Sequence, residues 1–459
     1  MLKDLVTSAH FPPNKSSEIR IQRNRTRSVL LRAGNLVSNS RNDLKGVNAR
    51  VYDKGMYGFA SANEISDDAI AHTVKCAGDN AHFLGERVHL NAKELPPIKK
   101  GEREPDKKML DLPQKTYIDY LSGLNSIIEK RYDKLISNTL RVSCDSMEKI
   151  IRTSDGMNAH LVAPRAYVYV VFMAESKSGA PVDMFKALGG SGTFDEQFSS
   201  PELLIDELDM LYEKLMKKAE GIHADAGKKT CVLSGELAGM LSHEAVGHTV
   251  EADLVLGGSV ARNLLNKQVA SPIVNMVDFA HTALGKPAPL PIYVDDEGVE
   301  AKDALLIENG ILRTYMVNRD LGSKLGIEPA GNARAYSFRD EPLIRMRNTA
   351  IVPGDSKLED MISSIDDGYY LVSSGNGQAD MTGEFMFGIT EGYEIKNGKI
   401  GKALLETTVS GIAFEMLKTV SMVGNTMHWS SSGYCGKKQM IAVGLGGPAI
   451  KCEISIGGR

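Results

Sequence analysis

Two histidines and a glutamate that lie close together in the second half of the chain are the residues best suited to catalysis. His243 is followed directly by Glu244, and His248 comes five positions after the first histidine. Imidazole nitrogens are common zinc ligands, and a glutamate beside such a ligand can take a proton from water activated by the metal. In the common zinc-protease motif the histidines are four positions apart and share one face of a helix. The longer spacing here therefore requires an unusual backbone.

The backbone around this motif is predicted to be a distorted helix. Positions five apart on a regular α-helix diverge by about 140°, which is too far for two ligands of one small cation. A single π-bulge widens one turn to an i→i+5 bond and would bring His243 and His248 into line. Alternatively, Gly247 would let the helix unwind just before His248. The spacing predicts one of these two distortions.

A strand and a helix start should anchor the motif. Residues 229–233 are β-like, and Ser234 can cap the helix that follows by accepting a bond from a free amide of its first turn. Leu237, Met240 and Leu241 have the spacing of one buried helical face. His243 is therefore expected on a helix that is fixed in a core.

Cys435 is the best candidate for a third ligand, which zinc sites in hydrolases require while they keep one position for water. It lies between glycines in a loop, ahead of a predicted strand at residues 440–443. A small loop of this kind can approach a metal closely. An ordinary buried cysteine has the same local sequence.

These motifs resemble a known family. His-Glu-x-x-x-His followed late by Gly-x-Cys-Gly-Lys is similar to the TldD side of the TldD/PmbA metallopeptidases, once described as modulators of DNA gyrase. The resemblance covers nearly the whole chain and is densest over residues 226–459. Further matching segments are residues 153–156, 294–299, 306–312, 345–349, 375–380 and 421–425.

The resemblance implies a zinc site, with one ion per active chain held by His243, His248 and Cys435, and with Glu244 activating water. It also implies a dimer, formed either by two copies of this chain or with an inactive PmbA-like partner that lacks the histidine motif. This chain has the motif and so resembles the active subunit. A cysteine ligand favours zinc over magnesium or calcium.

Four further residues are candidates for supporting roles. Glu251 and Asp253 are the nearest carboxylates that could orient the ligating imidazoles, although plain surface acids would have the same positions. Arg345 and Asn348 could bind the substrate backbone, with packing and loop bonding as the alternative.

Length and composition set the remaining bounds. A chain of 459 residues exceeds the size of one core, so two domains are expected, at residues 1–224 and 225–459. A net charge of −4 gives no attraction for nucleic acid, which disfavours direct DNA binding. Five widely spaced cysteines are typical of a reducing compartment. Without a signal peptide or a membrane-length apolar stretch, the cytoplasm is the expected location.

The patterns predict an α+β fold, with an N-terminal mixed α/β domain and a C-terminal β-rich domain that carries the metal-binding helix. Helices are expected at residues 1–9, 66–81, 117–132, 201–219 and 358–365. Tight hairpins are expected at Lys54-Gly55, Asn309-Gly310 and Asn397-Gly398. Residues 252–288 are predicted to form a long active-site loop, and residues 375–388 a glycine-rich loop that enters a strand.

The sequence therefore predicts a zinc-dependent peptidase for unfolded or short peptides, with Glu244 as the general base. Its many hairpins suggest that the substrate joins an open sheet edge as an added strand. One alternative is a metal-stabilised binding or scaffold subunit without peptidase activity. Another is a DNA-topology modulator, which would bind DNA in a salt-sensitive way and which the charge balance disfavours.

Overall fold

The computed structural model describes residues 5–88, 94–109 and 112–457, with only the backbone of Asn376. Helices and strands are both abundant, which confirms the predicted α+β class. Residues 1–4 of the expected first helix lie outside the described residues. Residues 5–7 are not helical, and Ser8–His10 forms one 3-10 turn. Within the described ranges, no helix combines the length and hydrophobicity that a membrane crossing requires.

Seven strands of the N-terminal half form one sheet, in the order β3-β2-β1-β5-β6-β4, with β7 also paired to β6. The strands are β1 (Ser16–Arg32), β2 (Asn35–Asp53), β3 (Met56–Ala62), β4 (Gly101–Arg103), β5 (Ser137–Thr153), β6 (Met157–Glu175) and β7 (Pro181–Ser191). The helices are α1 (Asp67–Val88), α2 (Gln114–Arg131), α3 (Phe194–Gln197) and α4 (Ile205–Ala219), the last preceded by a 3-10 turn at Pro201–Leu204.

Helices cover one face of this first sheet. Ile70, Val74 and Ala77 of α1 share a buried cluster with Ile19 and Val47 of the strands. A second cluster joins the apolar face of α2 to the other end of the sheet, through residues that include Leu121, Leu124, Val29 and Leu140. Apolar positions three and four apart on each helix thus meet alternate positions on the strands, as two-layer packing requires.

The opposite face of the first sheet packs on the C-terminal half through buried polar groups. Lys149 on β5 donates to both carboxylate oxygens of Asp296, at 2.8 and 2.6 Å. Arg20 on β1 lies 3.1 Å from the same carboxylate, and Gln22 donates to the main-chain carbonyl of Tyr336 at 2.6 Å. Because a buried charge without a partner is costly, these contacts fix the orientation of the sheet.

The C-terminal half contains the remaining strands and helices. Its strands are β8 (Gly227–Leu233), β9 (Met276–Phe279), β10 (Thr282–Ala283), β11 (Lys286–Pro287), β12 (Ala304–Glu308), β13 (Ile311–Leu312), β14 (Ala333–Arg334), β15 (Leu343–Ile344), β16 (Asn348–Ile351), β17 (Asp367–Ala379), β18 (Glu384–Lys396), β19 (Lys399–Ala403), β20 (Thr407–Ile412), β21 (Met422–Val423), β22 (His428–Ser430), β23 (Tyr434–Cys435), β24 (Ile441–Ala442), β25 (Gly444–Gly447) and β26 (Ile450–Gly457). Its helices are α5 (Gly235–Leu241), α6 (Ala252–Leu256), α7 (Arg319–Leu325), α8 (Leu358–Ser363) and α9 (Ala413–Lys418).

Five of these strands close into a ring, in the order β17-β8-β26-β20-β18, because β18 pairs again with β17. A second, six-stranded sheet has the order β13-β12-β9-β16-β25-β22. The segment at residues 235–247 packs between the ring and this second sheet, touching β17 on one side and β16 and β25 on the other. The predicted metal helix is therefore central to the larger core.

The strands of the first sheet end at Ser191, and those of the ring and the second sheet begin at Gly227. This separation supports the proposed division into residues 1–224 and 225–459.

All three predicted hairpins are present, and both turn residues of each have the positive φ that the tight turn needs. The strand predicted to follow the glycine-rich loop is present and begins at Glu384, but the loop itself is confined to residues 380–383. Residues up to Ala379 belong to β17 and those from Glu384 to β18, which pair with each other. A Cβ on Gly377 would lie 2.5 Å from the ring of Phe387, its cross-strand partner. The glycine makes room for an aromatic side chain. The segment 252–288 is not one loop either, since it contains α6, a 3-10 turn and β9–β11.

Asp278 on β9 is the main polar support of the second sheet. Its carboxylate accepts bonds from the main-chain amide and Nε of Arg347, both at 2.8 Å, from Thr349 Oγ1 at 2.9 Å and from Asn332 Nδ2 at 2.8 Å. The side chains of Asp278 and Arg347 are fully buried. They tie β9 to β16, the strand that packs against residues 242–247.

Replacing Asp278 with alanine should lower the free energy of unfolding by about 3–5 kcal/mol, because the Arg347 charge would stay buried without its partner. Chemical denaturation can be followed by the fluorescence of Trp429, the single tryptophan, which lies on β22 of the same sheet. The matched control is Asp79→Ala, which removes an exposed carboxylate paired with Lys75 and should leave the unfolding midpoint in place. Equal midpoints for both variants would contradict this role of Asp278.

Candidate metal centre

The helix that leads to the first histidine begins directly after β8, one strand of the ring. Ser234 follows β8 directly, and its hydroxyl accepts a bond from the amide of Leu237 at 3.2 Å, which confirms the predicted N-cap. The same hydroxyl donates to the carbonyl of Val372 on β17 at 2.5 Å. Leu237 and Leu241 are buried. The start of the helix is therefore fixed both to its own first turn and to the neighbouring strand.

The predicted distortion is a π-helical turn. Residues Ser242–Gly247 are π-helical, and the amide of His248 donates to the carbonyl of His243, five residues earlier. The alternative, unwinding at Gly247, is wrong, because this residue has helical dihedral angles of φ −55° and ψ −47°. A Cβ at Gly247 would lie 2.0 Å from the sulfur of Met346, so this glycine serves close packing instead.

The wide turn brings both histidines to Cys435. One ligand atom from each of the three side chains lies within 4.8 Å of the other two. The sulfur of Cys435 is 3.2 Å from Nε2 of His248, and the two imidazole centroids are 5.1 Å apart. The structure thus assembles the three side chains that the sequence analysis selected, including one 187 positions further along the chain.

His243 gives the clearest sign that this cluster fits a metal ion. Its side chain is buried, and neither ring nitrogen has a hydrogen-bond partner among the described residues. Buried polar atoms nearly always have a hydrogen-bond partner, and leaving one without a partner costs about 1–3 kcal/mol. A cation held by His243, His248 and Cys435 would provide a partner for one of the two ring nitrogens of His243. Two imidazoles and a thiolate are also the donor types that zinc prefers.

Glu251 orients His248 from behind. Its fully buried carboxylate lies 2.8 Å from Nδ1 of His248, which leaves Nε2 to face Cys435. Lys437 lies 3.0 Å from the same carboxylate oxygen of Glu251 and 3.0 Å from Asp253. Glu251 therefore contacts a histidine directly, whereas Asp253 reaches it only through Lys437. Such contacts fix the tautomer and the orientation of a ligating imidazole.

Glu244 lies beside the cluster and is partly exposed. Its carboxylate is 3.9 Å from Nε2 of His248, and its side chain keeps 27% of its surface open to solvent. His248 keeps 20% of its side chain exposed, so Glu244 is the more accessible of this pair to a water molecule from outside. This is the position that a general base needs.

The charges of the cluster favour metal binding by the thiol. Burial raises the pKa of Cys435, but the adjacent imidazoles of His243 and His248 lower it, to about 3. Burial lowers the pKa of His248, but Glu251 and the Cys435 sulfur raise it, to about 10. In the metal-free chain at neutral pH, Cys435 is therefore a thiolate, which is the form that binds metals, and His248 carries a proton that a metal ion would displace.

Arg345 and Asn348 do not line the cluster. Both side chains are fully buried. The guanidinium of Arg345 donates to the main-chain carbonyls of Cys435, Lys437 and Gln439 at 2.8–3.0 Å. Asn348 bonds to main-chain groups around β9 and Leu290. Their placement supports the alternative of loop bonding and packing over substrate binding.

A cavity of about 1030 Å³ lies at the start of the metal helix, and its wall does not include His243, Glu244, His248 or Cys435. It runs between β7 of the first sheet and β17 of the ring. Ser234, at the start of the metal helix, and Ser430–Ser432, just before Cys435, form part of its wall. The edge of β17 that faces α5 has no strand partner beyond Leu371 within the described ranges.

Two residues of the first sheet, which no sequence motif indicates, contact the loop that carries Cys435. Asp145 accepts a bond from the hydroxyl of Tyr434 at 2.6 Å, although the two residues are 289 positions apart. Tyr167 donates to the carbonyl of Ser431 at 2.7 Å. Neither residue lies in a motif, so no local pattern could have indicated these contacts.

Comparison with known proteins decides the family. Family models match three parts of the chain, described as PmbA/TldA metallopeptidase domain 1 over residues 17–81, the central domain over residues 107–233 and the C-terminal domain over residues 226–458. The chain belongs to the PmbA/TldD metallopeptidase family. The predicted resemblance is therefore confirmed, as is the enzyme class of metallopeptidase.

Curated relatives and solved structures agree with this assignment. The zinc metalloprotease TldD homolog of Saccharolobus solfataricus is 31% identical, over 90% of this chain and 90% of that protein. A metalloprotease of Methanothermobacter thermautotrophicus is 30% identical, over 95% of this chain and 93% of that protein. The fold matches a modulator of a DNA gyrase from Thermotoga maritima, with a TM-score of 0.79, 19% identity and 99% coverage of both chains. It also matches TldE from Thermococcus kodakarensis, with a TM-score of 0.73, 18% identity and coverage of 96% and 97%.

In the metal-free chain, Cys435 should be a thiolate at about pH 5, because its neighbours hold its pKa far below that of a free thiol. Cys144 and Cys231 should stay protonated there, since burial raises the pKa of both. The ultraviolet thiolate absorbance of the wild type minus that of Cys435→Ser measures this group alone. An absorbance difference that develops only above about pH 8 would contradict the charge state derived from the structure.

Proposed function

We propose that this chain is a zinc-dependent peptidase that cleaves unfolded or short peptides. The observation that carries the proposal is the convergence of His243, His248 and Cys435 on one point, with both ring nitrogens of His243 buried and without a hydrogen-bond partner among the described residues. Zinc is the proposed metal because two imidazoles and a thiolate form a soft, mixed donor set. The name of the Saccharolobus solfataricus relative, a zinc metalloprotease, supports the same choice.

With three protein ligands, a bound zinc ion would keep one coordination position for water. When bound, zinc lowers the pKa of water and polarises the scissile carbonyl. Glu244 takes the proton of the attacking water and passes it to the leaving amine. Its carboxylate has the partial exposure and the closeness to His248 that this role needs. Glu251 holds His248 in the tautomer that presents Nε2 to the metal.

The substrate is proposed to be an extended peptide. The cavity between β7 and β17 has a volume of about 1030 Å³, which is large enough to hold several peptide residues. Residues 372–379 of β17 offer an open edge beside the metal helix, where main-chain groups of a peptide can pair as an added strand. Folded proteins do not present such a strand, which accounts for a preference for unfolded or short peptides.

The proposed setting is a cytoplasmic dimer. All five cysteines are free thiols, as a reducing compartment maintains them. The structural likeness to TldE supports pairing with a PmbA-like partner, and two copies of this chain are the alternative assembly. The proposal assigns one zinc ion to each active chain.

Replacing Glu244 with glutamine should leave zinc bound and lower kcat by about 10²–10⁴-fold, because only the proton acceptor is lost. Elemental analysis of the purified protein gives the metal content, and cleavage of an unstructured peptide with and without chelator gives the activity. The control is Glu415→Gln, an exposed glutamate on α9, which should match the wild type.

The results separate the two functions considered. Turnover by Glu244→Gln at the wild-type rate refutes this residue as the base. Bound zinc without cleavage, in the chain alone and with a PmbA-like partner, refutes the peptidase and favours the metal-stabilised scaffold. A protein with no metal and full activity refutes the zinc mechanism.

A further inference from the structure

The loop that carries Cys435 has little regular structure of its own. Within residues 431–441 the only strand pairing is the two-residue ladder of β23 with β24, where Cys435 faces Ile441. Segments with so few internal bonds open easily unless other elements hold them. The position of the Cys435 sulfur therefore depends on contacts from outside the loop.

One set of outside contacts comes from β6 of the first sheet. The hydroxyl of Tyr167 donates to the carbonyl of Ser431 at 2.7 Å, and the hydroxyl of Tyr169 donates to the carbonyl of Ser432 at 3.1 Å. Arg165 donates to the carbonyl of Ser431 at 3.3 Å. Three side chains on alternate positions of one strand thus hold the entry to the loop.

A second contact reaches the residue next to the cysteine. The hydroxyl of Tyr434 donates to Oδ2 of Asp145 on β5 at 2.6 Å. Nε of Arg165 donates to Oδ1 of the same carboxylate at 2.9 Å, and the Arg165 guanidinium lies 4.8 Å from the centre of the Tyr434 ring. Because Tyr434 keeps 38% of its surface exposed, these bonds rather than burial hold it.

The third contact comes from within the C-terminal half. The guanidinium of Arg345 donates to the carbonyl of Cys435 at 2.8 Å. Arg345 therefore holds the main chain at Cys435, while Asp145 on the first sheet holds the side chain of the adjacent Tyr434. Lys437, two residues after the cysteine, adds bonds to Asp253 at 3.0 Å and to the carbonyl of Ile344 at 2.7 Å, so the loop is held on both sides of Cys435.

We propose that Asp145 and Tyr434 are positioning residues through which the first sheet presents Cys435 to the two histidines. The C-terminal half supplies every ligand of the proposed metal site, yet the site is complete only when the first sheet is docked. This inference rests on the proposed metal site. It gives the N-terminal half a role in metal binding beyond that of covering the substrate cavity.

The test is Tyr434→Phe, which removes one hydroxyl and keeps the ring under Arg165. Loss of a contact that orients a ligand weakens metal binding about 10- to 100-fold. Zinc affinity is measured by competition with a chromophoric chelator, and the sulfur-to-cobalt charge-transfer band of the Co²⁺ form reports the Cys435 bond directly. In the metal-free chain, alkylation of Cys435 should be about tenfold faster or more, since the loop opens more often.

A matched control lies in the N-terminal half of the chain, which also contains Asp145. Asp209 accepts a bond from the hydroxyl of Tyr132 at 2.8 Å and is also held by Arg131, which repeats the arrangement of tyrosine, aspartate and arginine. Tyr132→Phe removes the same kind of bond far from the cysteine loop. It should leave zinc affinity, the charge-transfer band and the alkylation rate at wild-type values.

Asp145→Asn is the second variant and should weaken zinc binding in the same way, because it removes the negative charge to which Tyr434 and Arg165 donate. Zinc affinity, charge-transfer intensity and Cys435 alkylation that all stay at wild-type values in Tyr434→Phe would overturn the inference. A wild-type protein that binds no zinc would refute the proposed function instead. The alkylation rate of the metal-free chain then still decides whether Asp145 and Tyr434 hold the loop.

Discussion

The candidate metal centre depends on one geometric constraint: imidazoles five positions apart on a helix must face the same point as a thiol from a distant loop. A regular helix cannot meet this constraint, and the single i→i+5 bond from His248 to His243 does. A wide turn is a weak element on its own. Its surroundings stabilise it, since Ala245 and Val246 are buried and Met346 fills the space beside Gly247.

Buried charge follows from the same constraint. The two adjacent imidazoles stabilise the Cys435 thiolate in this protected site, and the fully buried carboxylate of Glu251 stabilises the positive charge of His248 from its far side. Lys437 in turn neutralises Glu251, and Arg345 ties down the carbonyls of the cysteine loop. Charged groups held in fixed positions and away from water act more strongly than in solution. The polar groups around the site therefore serve ligand geometry and chemistry together.

Much of this site could be predicted because its chemistry is local in sequence. The spacing of His243, Glu244 and His248 was enough to predict a distorted helix, and the cap at Ser234 was visible from residue type. The sequence does not decide between a π-bulge and unwinding at Gly247. That choice depends on Met346, a residue about a hundred positions away that contacts the glycine. The glycines around Cys435 make it the best candidate for the third ligand, but an ordinary buried cysteine has the same local sequence, and the resemblance to a family implies the metal role.

Two features depend on tertiary contacts that the sequence does not show. The glycine-rich segment ahead of the strand at Glu384–Ile389 is predicted to be a loop, yet residues up to Ala379 pair as a strand, and the ring of Phe387 occupies the space that Gly377 leaves free. Arg345 and Asn348 are candidates for binding the substrate backbone, with packing and loop bonding as the alternative. Their burial and their bonds to main-chain carbonyls show how a fold uses such residues to fix loops. Burial and long-range pairing belong to the tertiary structure and leave no local signal.

The most direct test of the central claim is X-ray absorption spectroscopy of the zinc-loaded chain. The account predicts a first shell with one sulfur at about 2.3 Å and two imidazole nitrogens at about 2.0–2.1 Å, completed by one light atom. It also predicts that Cys435→Ser removes the sulfur from that shell. A shell of nitrogen and oxygen alone in the wild type would contradict the claim that Cys435 joins His243 and His248 at one ion.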